Sequence, residues 1–444
     1  MYIHIIAKVC LLSISIALSS CRKFVEIAPP RTDLIKATVF TSDETAQAAI
    51  SDIYYQIGVR GFASGTISSI TMMGSLSSDE LVNGITFDDN YRQINGNEIL
   101  SSNLRITALW QDVYFCIFKC NAVLEGLAGS VNVTDRVKNQ LIGEAKFLRA
   151  FSHFYLVNLF GDIPLVLTTD YKNNQNIPRT DKALVYQQIV ADLVDAKSLL
   201  TADYSFSSNQ KVRVNKVAAI SFLARVYLYL NDWTNAEIQS SEVLSNAGYA
   251  LEPILKKVFL KNSVEAIWQF YPSTGYPGDL LTFYSYGHLL SSPLLNSFES
   301  GDRRATDWNI STRLHKYQSL TTYTEYSMVL RLGEQYLIRA EAQAQQNNIL
   351  GSQTDLNAIR NRAGLANTLA NDKASLLAAI EHERRVELFL EWGHRWFDLK
   401  RTNRINAVMS PLKANWVPTD ALYPIPQIQI DNDPAMANSQ NPGY

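Results

Sequence analysis

The sequence predicts a mainly α fold: helical hairpins stacked into a scaffold, with long irregular loops left to carry a ligand site. Three observations carry this expectation. Apolar side chains recur at helical spacing through most of the chain, the pattern of helices that each bury one face. Paired segments of this kind, 215–245 and 331–363, have alanine where two helices must approach closely. Two stretches, about 61–103 and 269–324, break the pattern with Gly, Ser, Thr, Asn and Pro. Irregular stretches of that length are usually functional or disordered, and a high aromatic content argues against disorder.

In chain order the first feature is a targeting segment. Lys8 precedes an apolar run from Val9 to Leu18, the length of a secretory h-region and too short for a stable bilayer span. The run ends in Leu18-Ser19-Ser20-Cys21, and small residues before a cysteine at that place resemble the bacterial lipobox. There the thiol is acylated and cleavage makes the cysteine the new N-terminus. The expected organisation is a lipoprotein signal peptide over 1–20 and a single domain over 21–444, held to a membrane by lipid on Cys21.

Composition fits a large packed core. The chain is 47% hydrophobic with a formal charge of −2, which offers no basic surface excess and makes nucleic acid an unexpected partner. Cys10 falls in the signal and Cys21 at its end, leaving Cys116 and Cys120 four apart in a predicted helix. That spacing suits a disulfide poorly, so both read as small core residues.

The helices follow. Ile106 to Gly126 carries Trp110, Tyr114, Ile117 and Leu124 at helical spacing, and Arg136 to Leu159 is stopped by Gly161 and Pro164. Thr180 or Asp181 caps the next, which buries Tyr186, Ile189, Leu193, Ala196 and Leu200. Asn215 to Leu230 and Thr234 to Ser245 form a hairpin about the turn Asn231-Asp232-Trp233, with Ala218, Ala224 and Ala236 at the contact. Arg331 to Gln346 and Thr354 to Ala363 repeat the idea with Ala340, Ala342 and Ala344, and a last hairpin forms near Asp372 to Glu391. These units resemble degenerate tetratricopeptide hairpins, about four of them in a right-handed scaffold, without a clean 34-residue period.

The most informative stretch is Glu383-Arg384-Arg385-Val386-Glu387-Leu388-Phe389-Leu390-Glu391-Trp392-Gly393-His394-Arg395-Trp396-Phe397-Asp398-Leu399-Lys400-Arg401. Val386, Phe389 and Leu390 place an apolar face on a helix, and Gly393 sits where that helix could end in a left-handed residue. Charges interleaved with aromatics imply an ion-pair network laid over a core, because a buried charge must be paired. This run resembles the C-terminal signature of SusD/RagB-type proteins, nutrient-binding surface lipoproteins of Bacteroidetes-like bacteria. His153 to Val166 and the ending from Leu422-Tyr423-Pro424-Ile425-Pro426 to Tyr444 resemble the same family. The signature run is read as structural, marking the family and not the site.

No catalytic machinery is legible. His382-Glu383 begins a zincin-like pattern, but Val386 stands where the second histidine belongs, and no nucleophile elbow, P-loop or dinucleotide fingerprint occurs. Six histidines show no ligand spacing, so neither metal nor cofactor is expected. A pyranose needs flat aromatics for its C–H face and Asp, Asn, Arg or Gln for its hydroxyls, and the two irregular segments supply that mixture. The expected ligand-binding residues are Trp308, Tyr284, Tyr286, Tyr91, Arg92 and Asp79. The resemblance implies a non-enzymatic, lipid-anchored protein of the cell outer membrane, exposed at the surface. Such a protein captures oligosaccharide and delivers it to a TonB-dependent transporter of the SusC kind. Peptide capture within the same family, or a scaffold that binds only protein, are the alternatives.

Overall fold

The computed structural model describes residues 39–444 except 60, 66, 67, 86, 274, 279–286 and 320. The signal peptide, Cys21, Tyr284 and Tyr286 lie outside the described residues. The fold is mainly helical. Its principal helices are α1 (Asp43–Val59), α2 (Ile70–Ser77), α3 (Asp89–Gly96), α4 (Leu104–Gly129), α5 (Asp135–Phe160) and α6 (Lys182–Leu199). They continue with α7 (Lys216–Tyr229), α8 (Trp233–Leu244), α9 (Leu332–Gln345), α10 (Ile349–Arg362), α11 (Lys373–Glu387) and α12 (His394–Arg401). Among the short strands, β1 (Leu81–Val82) pairs antiparallel with β3 (Leu289–Leu290), and β2 (Ala266–Phe270) with β4 (Ser327–Arg331).

Several helices of the scaffold begin where a short polar side chain can satisfy their first free N–H groups. Asn103 accepts from Arg105 and Ile106, Asp181 from Ala183, Asn215 from Ala218, and Asp372 from Ser375 in a capping box. Two hairpins share one turn. Asn231 (φ 58°) and Asn347 (φ 62°) adopt the left-handed conformation after α7 and α9, and the next residues, Asp232 and Asn348, cap α8 and α10. Asn tolerates that conformation better than most residues, so the same Asn–Asp/Asn pair reverses the chain twice. Neighbouring helices then pack in sequence: α4 on α5, α5 on α6, α7 on α8, α8 on α9, and α9 on both α10 and α11. The alanines predicted at these contacts, Ala218, Ala224, Ala236, Ala340, Ala342 and Ala344, are fully buried. Cys116 and Cys120 are buried free thiols.

The ion pairs expected of Arg395, Asp398 and Arg401 are present, Asp398 with Arg384 and Arg401 (both 2.7 Å) and Arg395 with Asp79 (2.8 Å), and the glutamates of the same run join a larger network. Arg331, at the end of β4, reaches Glu265 (2.9 Å), Glu387 (2.5 Å) and Glu391 (2.8 Å). Arg304 reaches Glu383 (2.7 Å), Glu387 (2.9 Å) and Asp302 (2.9 Å), and Arg362 pairs with Glu265 (2.6 Å) and Glu387. Lys316 binds Glu391 at 2.6 Å. All of these side chains are nearly or wholly buried, so each charge needs its partners.

Two expectations are corrected. The helix of the signature run does not continue to Gly393; α11 ends at Glu387. Leu390 (φ 53°), Trp392 (φ 51°) and Gly393 (φ 68°) turn the chain sharply, and Gly393 opens α12 instead. Tertiary bonds hold this strained turn: Leu390 N donates to Glu80, Trp392 N to Thr71, and the Trp392 indole to the Met328 carbonyl (2.7 Å). Segment 61–103 is also less irregular than its composition implies, since it holds α2 and α3.

Candidate functional site

The two irregular segments, distant in sequence, meet on one face. The register of β1 with β3 sets Leu81 opposite Leu290, and Ser291 completes the seam, its N–H donating to Glu80 O (2.9 Å) and its hydroxyl to Asp79 O (2.5 Å). Gly84 N donates to His288 Nδ1 (3.2 Å). A Cβ at Gly84 would fall 2.3 Å from the Gly287 carbonyl oxygen, so this crossing requires glycine. The C-terminal segment joins them: Lys413 Nζ donates to Leu76 O (3.3 Å) and Asn95 O (2.6 Å), and Asn415 binds Glu98.

Between these three segments lies a depression of about 400 Å³ bordered by Asp79, Val82, Asn95, Glu98, Pro293 and Asn415. A second, of about 450 Å³, shares Asp79, Pro293 and Leu412 with it and is lined further along by Glu381, His382 and Arg385. Amide and carboxylate groups beside the exposed apolar Val82 and Leu412 give the mixture that hydroxyl and C–H surfaces require. Among the described residues, no three His, Cys, Asp or Glu side chains converge as a metal site would need.

The predicted residues fall in different places. Asp79 lies under both depressions, buried, bonded to Arg385 (2.6 Å) and Arg395 (2.8 Å). Burial pushes its carboxyl up, but the Arg395 hydrogen bond and the two arginine charges outweigh that and hold it below its ordinary value. It therefore remains an anion whose oxygens are engaged, a floor rather than a free acceptor. Arg92 is exposed on α3 and paired with Asp89 (2.6 Å) and Glu98 (3.5 Å). Tyr91 is 1% exposed, set under Arg105 (5.0 Å) and edge-on to His288 (6.1 Å).

Trp308 is 0% exposed, and here the expectation of a sugar platform is corrected. Its indole N–H donates to the Leu255 carbonyl (3.0 Å), and its ring packs against Phe259 and Phe389 with Lys316 Nζ 4.8 Å from its centroid. It plugs the core beside the ion network and has no face left for a ligand. Tyr91 is buried for a similar reason, as the packed underside of α3. Asn95, Glu98 and Asn415, which do border the groove, were not singled out. Residue 415 stands more than 300 positions from residue 98, and nothing in the local sequence announces that pairing.

Residues 43–228 match the family model described as starch-binding associating with outer membrane, and residues 300–444 match that of the SusD family. The chain belongs to the SusD family. The SusD-like protein P2 of Formosa agariphila is 26% identical to it over 93% of this chain and 94% of its own length. The crystal structure of a SusD superfamily protein from Parabacteroides distasonis superposes with a TM-score of 0.78 at 24% identity, covering 90% of this chain and 99% of that one. Surface glycan-binding protein A from Bacteroides thetaiotaomicron, solved in complex with laminarihexaose, superposes with a TM-score of 0.73 at 20% identity, over 90% of this chain and 100% of its own. The two matched segments of the SusD family flank β2 and the stretch that closes the groove.

Proposed function

We propose that this chain is a lipid-anchored protein of the outer-membrane surface that captures an oligosaccharide in the groove above Asp79. It then passes the sugar to a TonB-dependent transporter of the SusC kind. The observation that carries the reading is the convergence of both irregular segments on one polar groove in a SusD-family fold. A relative of that fold was solved with laminarihexaose, which supports a glycan over other ligands. Asn95, Glu98 and Asn415 bind ring hydroxyls in this reading, and Tyr284 and Tyr286, a few residues before β3, stack on the sugar.

Calorimetric titration with laminarihexaose, maltohexaose and a panel of oligopeptides tests it. At least one hexasaccharide should bind, and Tyr284→Ala with Tyr286→Ala should weaken it at least about tenfold, or about 1.4 kcal/mol, at unchanged melting temperature. Binding of peptides alone would overturn the choice of ligand. Attachment is tested separately: Cys21→Ala should leave the protein out of the sedimented outer membrane, and retention there would remove the lipid anchor from the reading.

A further inference from the structure

The groove does not end at His382. The second depression shares Ala378, Glu381 and Arg404 with a third, of about 460 Å³, on the hairpin side of α11. Here the turn between α7 and α8 meets the N-terminal half of α11 and the residues that follow α12. Two kinds of side chain line it, and the difference between them indicates what it takes.

The ionised groups pair with one another. Arg401 pairs with Glu341 (2.6 Å) and Asp398 (2.7 Å), Arg384 with Asp398 (2.7 Å), and Arg404 with Glu381 (3.6 Å). Three acids face three arginines, so the lining carries no net charge to hold an ionic ligand. The neutral groups are unmatched. The Trp233 indole N–H and the side-chain amides of Asn231, Gln345 and Asn403 have no hydrogen-bond partner among the described residues. Among the ionised groups, Nη1 and Nη2 of Arg384 are buried and without a partner among the described residues. Trp233 is only partly buried, and Ala374, Leu377 and Ala378 give the pocket an apolar side. A partly exposed indole ringed by free amides and neutralised charge suits an uncharged polyhydroxylated ring.

We infer that this pocket is a second sugar-binding subsite, at the far end of the groove, which takes a neutral pyranose unit of a ligand long enough to reach it. The inference rests on the glycan-binding reading above and adds the ligand's charge class and a length requirement. Trp233 is the stacking platform, and Asn231, Gln345 and Asn403 bind the hydroxyls.

The test uses the full chain with laminarihexaose, maltohexaose and their disaccharides, at low and high salt. Asn403 has φ 56°, so Asn403→Gly removes the amide without straining the turn. Trp233→Ala and Asn403→Gly should each weaken hexasaccharide binding, the first by about tenfold. Disaccharide binding at the loop end should be unchanged, and salt should have little effect on a neutral ligand. In protein labelled with 5-fluorotryptophan, the fluorine resonance missing from Trp233→Phe should shift on hexasaccharide addition. That last readout does not depend on the stability of Trp233→Ala. Hexasaccharide binding with no shift of this resonance and no loss in Asn403→Gly would overturn the subsite while sparing the glycan reading. Failure of both hexasaccharides to bind the wild type would overturn both.

Discussion

Glu80 is buried against α2, its carboxylate accepting from Ser75 Oγ (2.9 Å) and from Leu390 N (3.3 Å). Burial, and secondarily the neighbouring Asp79 charge, push its carboxyl up to about 7 despite those bonds. A raised carboxyl holds its proton more tightly in the folded chain than in the unfolded one. The penalty is therefore absent below the ordinary value of 4.5, grows as pH rises toward 7, and is constant above it. Gln keeps an acceptor for Leu390 N and carries no charge. Glu80→Gln should match the wild type at pH near 4 and exceed it at pH 8 by on the order of 3 kcal/mol. Melting curves across this range check it, and parallel pH profiles for the two proteins would remove the buried-carboxylate explanation. Trp308 makes the opposite point at the same scale. Trp308→Ala should cost about 3–5 kcal/mol of stability in urea unfolding. Oligosaccharide affinity in whatever remains folded should not change, and a stable variant that loses the sugar would restore Trp308 to the site.

At the scale of elements, the ion network and the turn above it act together. Lys316 Nζ donates to the carbonyls of Glu387 (3.0 Å) and Phe389 (2.8 Å), and Arg331 binds the carboxylates of Glu387, just before that turn, and Glu391, within it. Burial alone would raise the Glu391 carboxyl, yet Arg331 and Lys316 hold it below its ordinary value. Arg331→Met would leave Glu265, Glu387 and Glu391 to share Arg362, Arg304 and Lys316. A loss of about 3–5 kcal/mol in chemical unfolding is expected, and a change under about 1 kcal/mol would mean the network is not energetically coupled.

The same elements show what was legible beforehand. The helices were, and so was the cap at Asp181, which acts on a donor two residues away; the caps at Asn103, Asn215 and Asp372 emerge only in the structure. The network was foreseeable too, since charges interleaved with Trp396 and Phe397 have to be paired. The turn at Leu390 and Trp392 was not, because two bulky residues adopt left-handed conformations only under bonds from Glu80, Thr71 and Met328. The site was legible as segments and illegible as residues. Composition marks a loop as rich in aromatics but does not distinguish Trp308, turned inward onto Leu255 O, from a ring that faces solvent. The border of the groove depends on the contact of Glu98 with Asn415, which arises only when the C-terminal segment docks.

The whole molecule poses one question that neither residue nor element settles: whether the two family-matched segments can be parted. The largest apolar cluster runs from Phe40 to Met436, through residues of both. Arg225 of α7 is 1% exposed and pairs with Glu334 of α9 at 2.6 Å, while among the described residues β2 pairs with β4 alone. Tyr423 bonds to Ser77 (2.7 Å), and Asn441 donates to the last carbonyl of α5, that of Phe160 (2.9 Å). A chain ending at residue 320 would strand the buried Arg225 charge, open one edge of β2 and uncover apolar surface along α5 and α7. We therefore expect that shortened chain to show no cooperative thermal transition, whereas 21–444 melts in one transition with equal calorimetric and van't Hoff enthalpies. The single unit read from the sequence stands on this comparison. A cooperative melt from the shortened chain, or two resolved transitions from the longer one, would divide it in two, and the groove would then lie between bodies free to move apart.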